Sequence, residues 1–409
     1  MSNLEILSRP ILQIARESRY RFPMDGKDPL QVSHDARQPS INAREYLIAA
    51  KANDTYIDRF LDERGIWTFK EGQNIDITGL TPQDAFEILQ PFESPLLDLS
   101  MNSLLEGHKY PVEGSDEPVG LFNDHTYLNH IQTTWGMVEQ FMQMAGVEDM
   151  QSYTDAAAAV ACHDSFNFLG RSDHNLDAAR GVRRMFPNLT GGDKGRMRNI
   201  QTAIFLHNEI VYRGTPFNLK DRPFDQKVEL MKQIHTPMSA ALLLADKAEI
   251  RRGRVIPQAL RPQIVDAHEH TRGNLYTDFA GLQHVKGTLK MTLNHNPWVE
   301  QNNLLYAELL DGKVDDQFDQ IYAPQSLKNP DGQISMEKVY REMWGLYGPH
   351  KARDADRLSL MIAAGFVLFP DTEAFQIDYE HKYDAQKVIQ REFTLDNADE
   401  VLGEIALAA

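Results

Sequence analysis

Apolar positions recur every three or four residues through the middle of the chain, the period of a helix with one buried stripe. In Asp124–Ala145 the stripe is Tyr127, Ile131, Trp135, Val138, Met142 and Ala145, and Gly146 follows as a stop. Thr154–Phe168 is a second expected helix, capped by Thr154 and running through a block of small residues. Ser172–Phe186 starts on a capping residue and halts at Pro187. Gly195–Tyr212 carries Ile200, Ile204, His207 and Val211 on one face, and Gly214 and Pro216 end it. Thr236–Arg252 opens on a threonine cap with Pro237 at the first helical position, and Gly253 closes it.

The flanks are less regular. Before the helical block, Leu4–Ser18 and Ile41–Gly65 read as helices and Asn74–Leu80 as a short strand. Thr81 and Pro82 open a short helix that ends near Pro91. Gly107–Gly120 has the composition of a loop. After the block, Pro257–Glu269, Glu300–Leu310, Met336–Leu346 and Leu358–Phe369 are helical candidates, and Asn329–Gly332 is a turn. Asp396–Glu404 reads as a solvated acidic helix. Strand-like alternation is scarce, so the expected class is all-α. Three segments result: a mixed extension over 1–115, a helical core over 116–255 and a helical segment over 256–409 that packs on the core.

Composition narrows the function. The 409 residues are 42% hydrophobic and 25% charged, and carry a formal charge of −17, which argues against duplex nucleic acid as the partner. Cys162 is the single cysteine, so neither an intrachain disulfide nor a paired-cysteine metal site is available. The first 18 residues have no apolar signal core, and the longest apolar run, Leu358–Phe369, is too short for a bilayer. A cytoplasmic protein without membrane contact is expected; homo-oligomerisation is left open.

The chemistry centres on Ala156–Asp164, AAAAVACHD, where an apolar helix ends on His163 and Asp164. His130 lies on the preceding helix. Asp246 lies on a later one among Leu242, Leu243, Leu244 and Ala245, where an ionised carboxylate is costly unless paired or bound to a cation. Two imidazoles and two carboxylates from three helices suffice for one divalent ion, with positions left for water and substrate. Cys162 is read as a small core residue. His268 and His270, two apart, do not share a helix face and are read as surface or pocket lining.

In the order His130, His163-Asp164, Asp246 the chain resembles the HD-domain superfamily of metal-dependent phosphohydrolases. The local text is LNHIQTTWGMVEQF, AAAAVACHD and LLLADKAE, and the resemblance covers about 130 residues. It implies a helical metal-binding bundle in which His163 and Asp164 are catalytic. His174, in GRSDHNLDAAR, and His207, in FLHNEIVYRGTPF, extend the likeness towards the HD-GYP phosphodiesterases. The extended set implies a second ion on His174 and His207, with Asp164 bridging both. The chain departs from that subgroup at Asn208, at Gly-Thr-Pro (214–216) and at Phe166-Asn167.

The implied cofactor is one or two divalent ions, with Mn, Fe, Mg, Ni and Zn not distinguished. The implied substrate is a nucleotide or another small phosphate ester, hydrolysed by a metal-activated hydroxide. Arg171, Lys194, Arg196 and Lys247 are the cations assigned to its phosphate, with Arg183 and Arg184 nearby. Some proteins with the extended ligand set are mixed-valence di-iron oxygenases that cleave C–C or C–P bonds, which is the first alternative. A non-catalytic sensing or interaction protein is the second. Tyr276, Trp298, Tyr306, Trp344 and Tyr347 are aromatic candidates for stacking a base.

Overall fold

The computed structural model describes residues 75–89, 128–164, 174–212, 217–219, 222–250, 273–274, 276–296, 325–344 and 351–407. The expected helices over 4–18, 41–65, 257–269 and 300–310, and the loop over 107–120, lie outside those residues. The chain divides into two units, Met1–Lys220 with Gln233–Leu242, and Asp221–Lys232 with Leu243–Ala409.

In the first unit the described helices are α1 (Pro82–Leu89), α2 (Leu128–Met144), α3 (Met150–Cys162), α4 (His174–Met185) and α5 (Lys194–Leu206). Helix α3 is its hub. Every residue from Thr154 to Cys162 is buried, because six of the nine are alanine or cysteine and allow close approach on all sides. Helices α1, α2 and α5 pack against it, and α4 packs on α5. The apolar stripe of α2 is buried as expected at Ile131, Trp135, Val138 and Met142. That helix ends in a Schellman motif, with Gly146 N–H on the Gln143 carbonyl and Val147 N–H on that of Met142. Gly146 supplies the required positive φ of 73°.

Two sequence expectations shift. Helix α3 starts one turn before Thr154, because Asp149 takes the capping role and accepts from the N–H groups of Gln151 and Ser152. Thr154 instead donates to the carbonyls of Met150 and Leu80. The segment expected as a strand before α1 is irregular; Ile77 N–H donates to the Leu189 carbonyl, and no ladder forms. The Thr81-Pro82 helix start holds, with Asp84 N–H donating to Thr81 Oγ1.

The second unit overturns the all-α class. It contains a four-stranded mixed sheet, β1 (Thr277–Val285), β2 (Thr288–His295), β3 (Ala374–His381) and β4 (Asp384–Phe393), in the spatial order β1-β2-β3-β4. Two antiparallel hairpins are joined along a parallel β2–β3 seam. One face of that seam is an apolar ladder in which Leu289 pairs Phe375, Met291 pairs Ile377 and Leu293 pairs Tyr379, all buried.

The remaining described helices follow, the first two of them straddling the boundary between the units. Helix α6 (Phe224–Ile234) was not anticipated; α7 (Pro237–Ala248), α8 (Met336–Met343), α9 (Lys351–Leu368) and α10 (Ala398–Leu407) were, within a turn or two. The backbone N–H of Phe224, at the start of α6, donates to Asp399. Helix α9 packs on β3, and α10 packs on both α9 and β4. Gly365 of α9 is required by that approach: a Cβ there would stand 2.6 Å from the Phe375 ring. Among the described residues no helix is long and apolar enough to cross a membrane.

Candidate metal centre

Helix α3 delivers His163 and Asp164 as its first two residues past the end, and the last-turn carbonyl of Val160 fixes the first of them. His163 Nδ1 lies 2.7 Å from that oxygen. A carbonyl only accepts, so Nδ1 carries the ring hydrogen and Nε2 of the neutral imidazole presents a lone pair. Helix α5 repeats the device. His207 follows its last residue, and His207 Nδ1 is bonded to the carbonyl of Ile204, again leaving Nε2 as the lone-pair atom.

The other carbonyls at the end of α5 are also taken by side chains. Asn175 Nδ2 donates to Phe205 at 2.8 Å, and the Tyr212 hydroxyl donates to Leu206 at 2.7 Å. His235 Nε2 lies 2.7 Å from that hydroxyl. Because the tyrosine hydrogen is spent on the carbonyl, His235 is the donor. Its surroundings strip His235 of water and push the imidazole down to about 3, while burial raises Tyr212. Both therefore stay neutral. A helix end normally leaves four carbonyls to water; here three are bonded by side chains that fix the position of His207.

From these ends three imidazoles converge on one carboxylate. His130 Nε2 and His163 Nε2 each lie 3.4 Å from Asp164 Oδ2, and His207 Nε2 lies 3.5 Å from Asp164 Oδ1. His130 reaches the group from α2, with Thr134 Oγ1 3.4 Å from its Nδ1. All four residues are at most 2% exposed. One donor atom each from His130, His163 and Asp164 lies within 4.8 Å of the others, so this buried group could hold a metal ion.

The spacing fits a cation. An imidazolium–carboxylate hydrogen bond closes to about 2.7–2.9 Å, shorter than any of the three contacts. Nitrogen and oxygen ligands at about 2.1 Å around a tetrahedral ion stand about 3.4 Å apart. Two lone-pair nitrogens with fixed tautomers facing carboxylate oxygens repel one another until a positive charge enters. The carboxylate is also divided, with Oδ2 turned to His130 and His163 and Oδ1 to His207.

The other sequence candidates have surroundings of their own. His174 is the first residue of α4, and its side chain lies outside the described residues, as do Arg171, His268 and His270. Asp246 belongs to the second unit, where it is buried with Oδ2 2.8 Å from Lys247 Nζ. Lys247, read as a phosphate ligand, is thus held by its own neighbour. Arg196 is engaged as well. Its Nη2 lies 2.7 Å from Asp155 Oδ1, its Nε also contacts that carboxylate, and Nη1 donates to Thr78 Oγ1. This bond ties α5 to α3 and to the irregular segment before α1. Burial raises the pKa of Asp155, and Arg196 opposes the shift. Lys194 is exposed in the first turn of α5, and Arg183 is exposed on α4. Tyr276 and Trp344 are fully buried core residues; Trp298, Tyr306 and Tyr347 lie outside the described residues.

Sequence reasoning missed Asn175, Tyr212 and Thr134, which hold the histidines rather than face the carboxylate. Asn175 acts on a carbonyl 30 residues away that folding brings near, whereas Thr134 is one helical turn from His130 and was open to a local reading. Compared with protein-family models, curated proteins and solved structures, the chain matches none.

Proposed function

We propose that the protein is a metal-dependent phosphohydrolase acting on a nucleotide or another small phosphate ester, with His130, His163, Asp164 and His207 holding the metal. The observation that carries the reading is the set of three Nε2 atoms turned to one buried carboxylate at 3.4–3.5 Å. A divalent ion in such a site supplies a water of lowered pKa as nucleophile and a Lewis acid for the phosphoryl oxygens. The chain contributes the rest. The Val160 and Ile204 carbonyls keep His163 and His207 in the ligating tautomer before any ion arrives. Asp164 supplies the negative charge, and its burial strengthens the attraction for a cation. Its divided carboxylate supports a two-ion version, with Oδ2 on the His130–His163 side and Oδ1 on the His207 side.

The test combines elemental analysis with turnover of bis(p-nitrophenyl) phosphate, in air and under argon, for wild type and Asp164→Asn. Bound metal and oxygen-independent phosphoester cleavage, both lost in the variant, are expected. Metal retained by Asp164→Asn overturns the site. Turnover of substrate only with dioxygen overturns the hydrolase in favour of an oxygenase.

A further inference from the structure

The apolar ladder along the β2–β3 seam ends in a pair of histidines. After Leu289–Phe375, Met291–Ile377 and Leu293–Tyr379, the next in-register pair on the same face is His295–His381. A sheet face that is apolar for three successive pairs gains nothing from two adjacent imidazoles at its end unless they bind something.

The state of His295 follows from a chain of hydrogen bonds. Thr277 Oγ1 donates to the Gly273 carbonyl at 3.0 Å, which uses its one hydrogen. The Tyr379 hydroxyl, 3.2 Å from Thr277 Oγ1, is therefore the donor in that contact. His295 Nδ1, 2.7 Å from the same hydroxyl, must then donate in its turn. Nε2 is left with a lone pair, since the one side-chain hydrogen bond of His295 to the described residues is made by Nδ1. Its ring centroid stands 5.4 Å from that of His381, close to the 5.3 and 4.9 Å that separate the rings at the candidate metal centre. Tyr276 stacks on the outer side of His295 at 6.3 Å and holds the ring in place.

We propose that His295 and His381 form a second cation site, for a divalent transition ion that prefers imidazole nitrogen, such as Zn²⁺, Cu²⁺ or Ni²⁺. His295 is the fixed ligand, prepared by Tyr379 and Thr277. His381, half-buried at the sheet end, is the adjustable one. Its Nδ1 accepts only a long 3.3 Å bond from Tyr383 N–H, so ligation through Nε2 breaks that one weak contact as the ring hydrogen moves to Nδ1. Water would complete the coordination. The Tyr379 phenol, pushed up by burial, stays protonated and acts only through His295.

The pair shares no residue with the centre on Asp164, and the test separates them. Full-length protein is stripped with chelator, dialysed against Zn²⁺ and analysed for bound zinc; Co²⁺ spectra report nitrogen ligation. The variants are His381→Ala, Asp164→Asn and the double substitution. His381 is at the sheet end and half-buried, so its removal is expected to leave the fold intact, with far-ultraviolet circular dichroism as the check. His381→Ala is expected to bind one zinc fewer than wild type, Asp164→Asn to retain that zinc, and the double variant to lose both classes. Should His381→Ala misfold, His295→Gln read by the Co²⁺ spectrum replaces it. Equal zinc in His381→Ala and wild type overturns the second site and leaves the first untouched. Loss in His381→Ala without loss in Asp164→Asn establishes the second and removes the first.

Discussion

His207 and Asn175 hang on successive carbonyls of one helix end, the first on Ile204 and the second on Phe205. Asn175, fully buried, thereby stabilises the backbone that aims His207 at Asp164. Asn175→Ala leaves the Phe205 carbonyl buried without its donor, which costs about 1–3 kcal/mol. Thermal melting is expected to show this loss, together with weaker retention of metal on dialysis. A melting temperature equal to wild type would mean that the bond carries no load.

Removal of metal has its own signature. Ligands that bind only the folded state raise stability by about 2.7 kcal/mol at a hundredfold excess over the dissociation constant. Chelator treatment is therefore expected to lower the melting temperature of wild type, to lower that of Asp164→Asn by less, and to leave the Asp164→Asn/His381→Ala double variant almost unaffected. Calorimetry in buffers of different ionisation heat checks the accompanying proton release as metal returns.

The Arg196–Asp155 pair predicts a pH-dependent penalty. Arg196→Met strands a buried carboxylate, for which roughly 3 kcal/mol is typical. Burial already raises the Asp155 pKa in the folded state, and loss of the guanidinium raises it further. The folded protein then holds a proton that the unfolded chain has released above about pH 3.9. Stability is thus retained below that pH and lost as pH rises through the folded value. Urea midpoints of the variant should approach wild type in acid and separate towards neutrality.

His295 works in the opposite direction. Burial, with the nearby charges of His381 and Lys387, lowers its pKa to about 3. The unfolded chain takes up this proton below about pH 6.5 while the folded one does not. Stability falls as pH drops from about 6.5 towards 3. In metal-free protein, His295→Gln should flatten that acid limb; an unchanged slope would show that another group sets it.

Packing at Gly365 supplies a test without charge. Gly365→Ala drives a methyl into the Phe375 ring and to within 2.9 Å of Leu289. Overpacking of this kind costs about 1–3 kcal/mol. The expected loss outweighs the gain in helix propensity, and denaturant melts decide between them.

The helices around the candidate centre were legible because their signals are local. A four-residue stripe places Ile131, Trp135, Val138 and Met142 in the core, and Gly146 and Thr81-Pro82 mark ends by backbone geometry alone. The His163-Asp164 pair could be read for the same reason, as it closes an apolar helix. The sheet was harder. Strand β2 does alternate, with Leu289, Met291, Leu293 and His295 buried between half-exposed residues. Strand β4 does not, since Asp384–Gln390 is mostly exposed and its large apolar residues Val388 and Ile389 are adjacent rather than alternating. The β1–β2 turn uses Lys286 and Gly287, both at positive φ, rather than the asparagine-glycine pair that announces such turns. Most of all, the β2–β3 seam joins segments that share no neighbourhood in sequence. The phosphate-binding assignment of Arg196 rested on charge and proximity to the motif; its tie to Asp155 depends on a helix pairing that no local pattern reveals.

That seam divides the sheet into two kinds of pairing. Each hairpin closes across a short turn, but β2 and β3 are linked by a connection running from Asn296 to Glu373. Closing such a loop costs entropy before any seam contact repays it. A single backbone cleavage within the connection would leave both hairpins continuous and turn the seam into an association between two fragments, stable only above a threshold concentration. His295 and His381 would then sit on separate chains, and an ion shared between them would act as a clasp holding the halves of the sheet together.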